Sequence, residues 1–421
     1  MQALSTLLAR HAREVAERLA RHGARAWIVG GAVRDLALGR EVADVDMASR
    51  AAPDIVEQEF ERTIPLGRSF GTVVIHLAGA DIEHTTFRRE DGYQDGRHPG
   101  RIEFGATIEE DASRRDFLCN ALYLDPLTNE VGDPCGGLAE LAAGRLSCVG
   151  DPSRRFNEDG LRIVRLARFA GQLGLQPTPD TIAAAQTSLG ALRGVSRERL
   201  RLEFESSMTR GDLGIMLANL ELTGALDTVL PGWNTSDRRE RVTRTLRHLP
   251  AQPGVTLGFA LLFDPEICPD ETPDRAAARL ADLRPARALL DHVRGAWQLS
   301  AEFRAHPAPT RATRIRWLRR PECDTALALI SARAQASGSA PAGLEALRAE
   351  RARYTPLDLT PAPLLTAADL AAHGLKPGPL YGTLLGEIET LQLELEITGR
   401  DEALQWLAAR LQDGGNTRRN A

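Results

Sequence analysis

The pattern of apolar and polar positions changes once along the chain. Between residues 24 and 150 the apolar residues form short β-prone runs bounded by Gly, Pro or Asp, such as AWIVGG, GTVVIHLAG, ADIEHTTF, GRIEFGA and ALYLDP. From about residue 155 onward Leu, Ala, Arg and Glu recur at helical spacing, as in EDGLRIVRLARFAGQLGL. The pattern predicts an α+β protein, with a small head of mixed sheet and helices followed by an all-helical remainder.

Turn-rich segments subdivide the helical remainder. They occur at FDPEICPDETPD, AHPAPT, AQASGSAPAG and YTPLDLTPAP, where the helical periodicity is lost. We therefore predict a small β-containing head, then a long helical body and a helical tail.

Composition limits the class of protein. The chain has 421 residues, of which 43% are hydrophobic and 26% charged, as in globular proteins with a sizeable core. It contains no run of eighteen apolar residues and no secretory leader, which predicts a cytoplasmic protein without a membrane partner. Five scattered cysteines without a Cys-x-x-Cys pair favour reduced thiols over a zinc site.

The charge balance bears on the partner. A net charge of −5 argues mildly against nucleic acid for the chain as a whole, because phosphate binding favours a basic surface. The arginine-rich segments SDRRERVTRTLRHL and RATRIRWLRR are nevertheless candidates to line an RNA path. A GC-rich genome, which favours arginine codons, explains the same arginine excess without any such role.

The stretch IVGGAVRDLALGREVADVDMAS, residues 28–49, carries the first chemical signal. A strand that ends in Gly30-Gly31 turns without side-chain interference and lets backbone N–H groups approach a phosphate. Arg34 follows one helical turn later, within reach of the same phosphates. Taken alone, a Gly-Gly pair is usually only a turn.

Two carboxylates follow the glycines. Asp44 and Asp46 are two residues apart, so on a strand both side chains lie on one face and Val45 on the other. Adjacent carboxylates repel each other, and the arrangement suits a divalent cation such as Mg²⁺, which bridges carboxylates to phosphates. An isolated Asp-x-Asp is often a solvated strand end, but its order and spacing after the glycines favour a function.

This order of motifs resembles the nucleotidyltransferase superfamily that includes DNA polymerase β, in which Gly-Gly or Gly-Ser precedes Asp-x-Asp. The resemblance implies a third acid on a neighbouring strand, and Glu83 in DIEHTTF is the candidate. Glu83 would be a catalytic residue, either as a metal ligand or as the base for an attacking hydroxyl. The alternative is an exposed strand carboxylate without a role.

Longer motifs narrow the resemblance. DGYQDGRHPGRIEF, EEDASRRDFLCNALYLD and GDPCGGLAELAAGRLSCVGDPSRRFNEDGLRIVRLARFA resemble, in order, the bacterial class II tRNA nucleotidyltransferases. That family comprises CCA-adding, A-adding and CC-adding enzymes and bacterial poly(A) polymerases. The similarity runs from about residue 24 to 206 and resumes in ADLAAHGLKPGPLYGTLLGEIE, which resembles the family's tail domain. It implies four parts: a catalytic head over residues 1–150, a base-recognising neck over 151–206, a helical body over 207–350 and a tRNA-binding tail over 351–421.

Arg114-Arg115-Asp116 places two guanidinium groups beside a carboxylate, which suits a triphosphate and a sugar hydroxyl. An ordinary ion pair at the start of a surface helix gives the same pattern. The resemblance implies that Arg115 contacts the incoming nucleotide. Leu118 departs from the family, whose members usually carry a small hydroxyl residue at that position.

In EDGLRIVRLARF, Asp159, Arg162, Arg165 and Arg168 step by three residues, about 60° per step on one α-helix. A neighbouring Asp159–Arg162 pair would accept a hydrogen bond from an exocyclic amino group and donate one to a ring acceptor, which selects A and C over G and U. Arg168 would lie on nearly the opposite face and is a nucleotide-binding residue by resemblance only. The alternative is an amphipathic helix with i, i+3 ion pairs.

The resemblance implies template-independent addition of CCA, or of its terminal A, to the 3′ end of tRNA from CTP and ATP, with release of pyrophosphate. Asp44 and Asp46 would hold two Mg²⁺ ions, and Gly31, Arg34 and Arg115 would position the triphosphate. The body and tail would bind the acceptor arm and elbow of the tRNA, and DNA is not an expected partner.

Several members of the family remain as alternatives. The retained segment RREDGYQDGRHP disfavours a CC-only enzyme, because those members have this loop shortened. An A-only enzyme, which would need a separate CC-adding partner, remains open. A poly(A) polymerase, a non-catalytic RNA-binding relative and a nucleotidyltransferase for small molecules are less favoured, given the tail motif and the intact acids.

Overall fold

The computed structural model describes residues 6–91, 100–233, 236–267 and 271–417. The chain divides into two compact units, the first comprising Met1–Arg239 with Asp282–Arg284 and the second Glu240–Ala281 with Pro285–Ala421. A mixed sheet lies near the start of the chain and helices follow it, which confirms the predicted α+β class. No described helix combines the length and the apolar composition needed to cross a membrane.

The strands of the first unit are short. They are β1 (Ala26–Val29), β2 (Asp46–Ser49), β3 (Thr63–Gly67), β4 (Thr72–Leu77), β5 (Ala80–Thr86), β6 (Arg88–Asp91), β7 (Arg101–Phe104), β8 (Tyr123–Leu124), β9 (Val131–Gly132), β10 (Arg145–Leu146) and β11 (Gln176–Pro177). β1 and most of β2 are buried, whereas the apolar side chains Ile64 and Leu66 of β3 are exposed. Seven of them form a sheet in the order β3-β4-β5-β2-β1-β8-β9, in which β2 and β5 run parallel and the other neighbours antiparallel. β6 and β7 form a separate hairpin.

Helices surround this sheet and continue beyond it. They are α1 (Thr6–Ala20), α2 (Gly31–Ala37), α3 (Pro53–Glu59), α4 (Ile108–Ser113), α5 (Gly137–Ala142), α6 (Pro152–Glu158), α7 (Leu161–Leu173), α8 (Pro179–Thr187), α9 (Arg197–Arg210), α10 (Leu213–Leu222), α11 (Leu226–Val229) and α12 (Ser236–Leu246). Short 3₁₀ turns occur at Arg68–Phe70, Leu118–Asn120 and Leu189–Gly194.

The packing of α7 against α10 depends on a missing side chain. A Cβ atom at Gly171 would lie 2.5 Å from the carbonyl oxygen of Asp212, so only glycine permits this approach. The Asp212 N–H donates to the Gly171 carbonyl at 3.2 Å across the same contact. This contact anchors the helix that carries the predicted arginines.

All regular elements among the described residues of the second unit are helices. Its further helices are α13 (Val255–Leu262), α14 (Pro273–Asp282), α15 (Arg287–Ala305), α16 (Arg311–Leu318), α17 (Cys323–Ser337), α18 (Leu344–Arg353), α19 (Pro356–Leu359), α20 (Ala367–Ala372), α21 (Pro379–Leu393) and α22 (Arg400–Thr417). One core gathers around Phe303, Trp317 and Ile330, and another around Leu370, Ile388 and Leu407.

The arginine-rich segment RATRIRWLRR lies in this second unit and is largely paired. Arg314 meets Glu350 at 2.9 Å, and Arg316 and Arg319 meet Glu389 at 3.0 and 2.7 Å. These arginines therefore form an internal ion-pair network. The four-part division at residues 150, 206 and 350 remains a prediction.

Candidate nucleotide-binding cleft

A cleft of about 620 Å³ lies in the first unit and brings the predicted site residues together. Its lining includes every residue predicted to bind nucleotide and one of the predicted catalytic acids: Gly30, Gly31, Arg34, Asp46, Arg115, Asp116, Asp159, Arg162, Arg165 and Arg168. Asp44 and Glu83 are not among the lining residues, but both lie beside Asp46, as described next.

The acids meet at the sheet. Asp46 is the first residue of β2 and is in register with Glu83 of the parallel strand β5. Registered residues on neighbouring strands project to the same face, so the two carboxylates are neighbours. Asp44 precedes the strand, so the expectation that one strand carries both aspartates is wrong. Their alternation holds nonetheless, since Asp44 and Asp46 are exposed and Val45 is buried.

The carboxylate of Asp46 and those of Asp44 and Glu83 repel each other. Reduced hydration among surrounding protein atoms and repulsion from Asp44 raise the pKa of Asp46, and Arg115 only partly offsets this. Reduced hydration and the Asp46 charge likewise raise the pKa of Glu83. A divalent cation would relieve this repulsion, and oxygen donors of this kind fit Mg²⁺. Among the described residues, however, no three His, Cys, Asp or Glu side chains are already grouped closely enough to hold a metal.

The two glycines differ in what the geometry requires of them. Gly30 has a φ of +65°, and a Cβ there would lie 3.1 Å from Nη1 of Arg115. Gly31 begins α2 with no such restriction. The Gly30 N–H donates to the carbonyl of Leu122 at 3.0 Å, so this amide is engaged within the fold. Gly30 therefore shapes the turn and admits Arg115.

Arg34 lines the cleft and is otherwise buried. It donates to the Asn120 Oδ1 at 2.7 Å and to both carboxylate oxygens of Asp35 at 2.9 and 3.0 Å. Its guanidinium lies 5.3 Å from the centre of the Phe169 ring. These contacts hold the cation rigidly at the end of the cleft that contains the glycines.

Arg114 and Arg115 share one buried carboxylate. Asp111 accepts from Arg114 at 2.6 Å and from Arg115 at 3.2 Å, while the Tyr123 hydroxyl donates to it at 2.9 Å. Burial acts to raise the pKa of Asp111, but the two arginines outweigh it and the pKa stays below its ordinary value. Tyr123 and Asp46 are both in register with Val29 on β1, so their side chains lie on the same face of the sheet. Tyr123, which accepts a hydrogen bond from Arg115, therefore holds that arginine next to the acids.

Asp116 is an internal partner of the arginines. Its Oδ1 accepts from the Asn120 amide at 3.0 Å, and its Oδ2 accepts from Arg165 Nε at 2.8 Å. Burial alone would raise the pKa of Asp116, but Arg165 and the Asn120 amide lower it well below its ordinary value. Asp116 thus links the end of α4 to α7.

The prediction that Asp159 and the three arginines share one helix is wrong. α6 ends at Glu158 and α7 begins at Leu161, with Asp159 in an extended conformation between them. The residue after the break has to be glycine, because a Cβ at Gly160 would lie 2.3 Å from the carbonyl oxygen of Ala191. Asp159 instead accepts from the Leu161 N–H at 3.1 Å, at the start of α7.

Asp159 and Arg162 both line the cleft, but they do not bind each other through their side chains. Arg162 donates to Glu158 at 2.8 Å and to the carbonyl of Arg114 at 3.0 Å. Asp159 pairs with Arg199 of α9 at 2.6 Å. Each side chain is therefore fixed by a partner other than the second member of the pair.

Arg168 joins the same cleft even though the helix argument placed it on nearly the opposite face. It pairs with Glu203, donates to Gln172, and lies 3.9 Å from the centre of the Phe169 ring. Because Asp159 is outside the helix, the angle between the two positions no longer applies. Arg168 is buried, and that burial lowers its pKa, with Glu203 acting in the opposite direction.

One wall of the cleft was not predicted from the sequence. α9 contributes four lining residues, namely Arg199, Glu203, Ser206 and Arg210. Their spacing of four, three and four is the spacing of one helical face, so this signal was available in the sequence. Asn120 and Phe169 also line the cleft, but nothing in their local sequence distinguishes them from other polar and apolar residues.

Two further expectations concern a loop and Leu118. Part of the segment RREDGYQDGRHP, residues 92–99, lies outside the described residues. Leu118 packs beside the hydrophobic core around Trp27 and Tyr123, and its N–H donates to the Ser147 carbonyl at 3.0 Å. It does not line the cleft.

Comparison with known proteins agrees with these features. Residues 26–147 match the family model described as the poly A polymerase head domain. The chain is 42% identical over 195 residues to a CCA-adding enzyme of Bacillus pumilus, covering 46% of this chain and 48% of the relative. It is 35% identical over 253 residues to a CCA-adding enzyme of Bacillus licheniformis, covering 60% and 63%. The chain thus spans about half the length of the first of these relatives.

A solved structure extends the likeness along the whole chain. The CCA-adding enzyme of Bacillus stearothermophilus, crystallised in complex with CTP, has a TM-score of 0.78 and 28% identity. The alignment covers 97% of this chain and 98% of that one. Together these matches confirm the resemblance to class II tRNA nucleotidyltransferases that the motifs predicted.

Proposed function

We propose that this relative of the class II tRNA nucleotidyltransferases adds the 3′-terminal CCA to tRNA from CTP and ATP, without a nucleic-acid template and with release of pyrophosphate. The observation that carries the proposal is one cleft in which the Asp46 carboxylate, an arginine-rich wall and the Asp159–Arg162 pair meet. Alternative specificities within the family are outcomes of the experiment described below.

The charge of the cleft supports a nucleoside triphosphate as its ligand. Among the described residues, the lining contains eight arginines, four aspartate or glutamate carboxylates and no other ionisable side chain. The excess of four positive charges matches the charge of a triphosphate, and guanidinium forks suit phosphate oxygens. The asymmetry is local, since the chain as a whole has a net charge of −5.

The chemistry requires positioning more than covalent work by the protein. In phosphoryl transfer the RNA 3′-hydroxyl attacks the α-phosphorus and pyrophosphate leaves in line. Arg115, held by Asp111 and Tyr123 beside Asp46, would orient the triphosphate. Arg34 would add a fixed positive charge at the same end. Glu83, in register with Asp46, would lie beside the attacking hydroxyl as metal ligand or base.

The proposed reaction depends on Mg²⁺. Asp44 and Asp46 are the proposed ligands, and bound Mg²⁺ supplies charge stabilisation for the entering and leaving oxygens. The raised pKa values of Asp46 and Glu83 support this, because both groups gain from a nearby cation. Removal of divalent cations with a chelator is therefore expected to abolish incorporation, and added Mg²⁺ to restore it.

Base choice would rest on Asp159 and Arg162. A carboxylate accepts hydrogen bonds and a guanidinium donates them, so together they match the amino group and ring acceptor of adenine or cytosine. Guanine and uracil present a carbonyl oxygen where the amino group should be, which faces the carboxylate unfavourably. The same protein groups would thus accept both CTP and ATP.

We further propose a cytoplasmic enzyme whose neck carries base recognition and whose body and tail bind the acceptor arm and elbow of tRNA. Proteins that bind structured RNA in this way contact shape and phosphates more than base edges. The relatives are named CCA-adding enzymes, which supports the addition of CCA and, with it, tRNA as the acceptor.

The test is incorporation of labelled CTP and ATP, with Mg²⁺, into tRNA transcripts that end at the discriminator base, at CC and at CCA. Addition of CTP and then ATP to the first transcript supports the proposal. Addition of ATP to the CC-ended transcript alone would identify an A-adding enzyme. Long A tails on the CCA-ended transcript would identify a poly(A) polymerase.

Asp46→Ala is the catalytic control. It should reduce incorporation on every transcript by at least 100-fold and leave the thermal unfolding temperature close to that of the wild type. Absence of incorporation by the folded wild-type protein on all three transcripts would contradict the proposal and favour a non-catalytic RNA-binding protein.

A further inference from the structure

Arg199 makes a two-pronged contact with the carboxylate of Asp159. Its Nη1 lies 3.2 Å from Oδ1 and its Nη2 2.6 Å from Oδ2. The Arg199 side chain is 21% exposed and that of Asp159 16%, so the pair is largely shielded from solvent. Paired contacts of this kind fix the plane of a carboxylate as well as its position.

Asp159 needs such an external support. It lies between α6 and α7 in an extended conformation, so no helix defines the direction of its side chain. Its Oδ1 accepts from the Leu161 N–H, which holds one oxygen at the start of α7. Arg199 comes from a different helix, α9, and supplies the second constraint that sets the rotation of the carboxylate.

The hydrogen bonds leave one oxygen with spare capacity. A carboxylate oxygen accepts about two hydrogen bonds. Oδ1 already receives two, from the Leu161 N–H and from Arg199 Nη1, whereas Oδ2 receives the one from Arg199 Nη2. Both side chains line the cleft. Oδ2 is therefore the atom with room for one more donor.

We propose that Arg199 is a specificity-determining positioning residue, which holds Asp159 so that Oδ2 accepts the exocyclic amino group of the incoming adenine or cytosine. This inference rests on the proposed function. Arg199 acts through Asp159, whereas Arg162 supplies the donor to the base. Without Arg199 the carboxylate rotates about its side-chain bonds, and its penalty for a guanine or uracil carbonyl falls.

Equilibrium binding of ATP, CTP, GTP and UTP to the full-length protein tests this inference. The variants are Arg199→Ala, Arg199→Lys, Asp159→Ala and the Arg199→Ala/Asp159→Ala double variant. Arg201→Ala is the matched control, because Arg201 lies on the same helix, pairs with Glu205 and does not line the cleft. Thermal unfolding of each variant shows that it is folded.

The wild type and Arg201→Ala should prefer ATP and CTP over GTP and UTP. In Arg199→Ala that preference should be at least tenfold smaller. In Arg199→Lys, which keeps the charge but not the two-pronged contact, the preference should fall by an intermediate amount. The double variant should match Asp159→Ala, because Arg199 acts through that carboxylate.

Two results would overturn the inference: a folded Arg199→Ala protein with the wild-type preference, or a double variant whose preference falls further than that of Asp159→Ala. Both differ from failure of the proposed function itself. If the proposed function is wrong, the wild type itself will bind the four nucleotides equally or not at all.

Discussion

At the scale of single residues, the cleft is built from charged side chains that are already paired before any ligand is added. Asp111, Asp116, Asp159 and Glu203 each hold one or more arginines. Such pairing offsets part of the cost of bringing so many guanidinium groups together. It also fixes their positions, so that little ordering is left for the moment of nucleotide binding.

Tyr123→Phe tests this positioning at Arg115. The Tyr123 hydroxyl donates to Asp111 and accepts from Arg115 Nε at 3.0 Å. We expect the variant to lose about 1 kcal/mol of stability, the typical net value of a hydrogen bond. The KM for both nucleotides should rise several-fold, because Arg115 loses one of its constraints. Steady-state kinetics with urea unfolding measures both, and unchanged KM values would show that the hydroxyl has no positioning role.

Phe169 has a comparable role in the arginine wall. Arg168, Arg165 and Arg34 lie 3.9, 5.1 and 5.3 Å from the centre of its ring. Phe169→Leu keeps an apolar side chain but removes the ring, at a cost of about 1 kcal/mol per lost cation–π contact. We predict nucleotide affinity about fivefold or more below that of the wild type, measured by titration, for CTP and ATP alike. A change confined to one nucleotide would argue against a shared effect on the arginines.

At the scale of elements, the sequence predicts the main features of the site but not how some of them are held. The turn at Gly30 and the acidic start of β2 follow from local patterns, because strand alternation and glycine geometry are local properties. The break at Asp159 does not, and the glycine that follows it packs against the backbone of Ala191, more than thirty residues away. The residues of α9 that line the cleft have the spacing of one helical face. Many helices have such a face, and only the fold shows that this one lines a cleft.

Gly171→Ala tests the contact between α7 and α10. The new methyl group would meet the Asp212 carbonyl oxygen, so the helices must separate, and we expect a loss of about 1–3 kcal/mol in the free energy of unfolding. Gly382→Ala is the comparison: Gly382 lies within α21 with no heavy atom within 4 Å of a built Cβ. Helix propensity predicts that it gains about 0.5–1 kcal/mol. Denaturant unfolding that ranks the two variants in the opposite order would refute this account of the packing.

At the scale of the whole molecule, each of the two compact units has its own charged interior. In the second unit Asp264 is buried, close to Arg333, Glu266 and Arg304. Its Oδ1 accepts from the Glu266 N–H at 3.0 Å and from Arg333 at 3.4 Å. Burial raises the pKa of Asp264 to about 6, with Arg333 acting in the opposite direction.

This pKa predicts a pH-dependent stability. A carboxyl group with a raised pKa binds its proton more tightly in the folded state, so it contributes stability at low pH that is lost as the pH rises through about 6. Relative to Asp264→Asn, which cannot titrate, the wild type should lose about 2 kcal/mol between pH 4 and pH 7.5. Urea unfolding followed by tryptophan fluorescence measures the difference, and parallel pH profiles for the two proteins would contradict it.

The central claim is that protein side chains alone select cytosine and adenine and add them in order to tRNA. Its most direct test is incubation of a transcript ending at the discriminator base with Mg²⁺ and all four nucleoside triphosphates, followed by sequencing of the 3′ ends. We predict ends that read CCA and stop there, with G and U rare. Ends that carry G or U as often as A and C, or tails that continue past CCA, would contradict the claim.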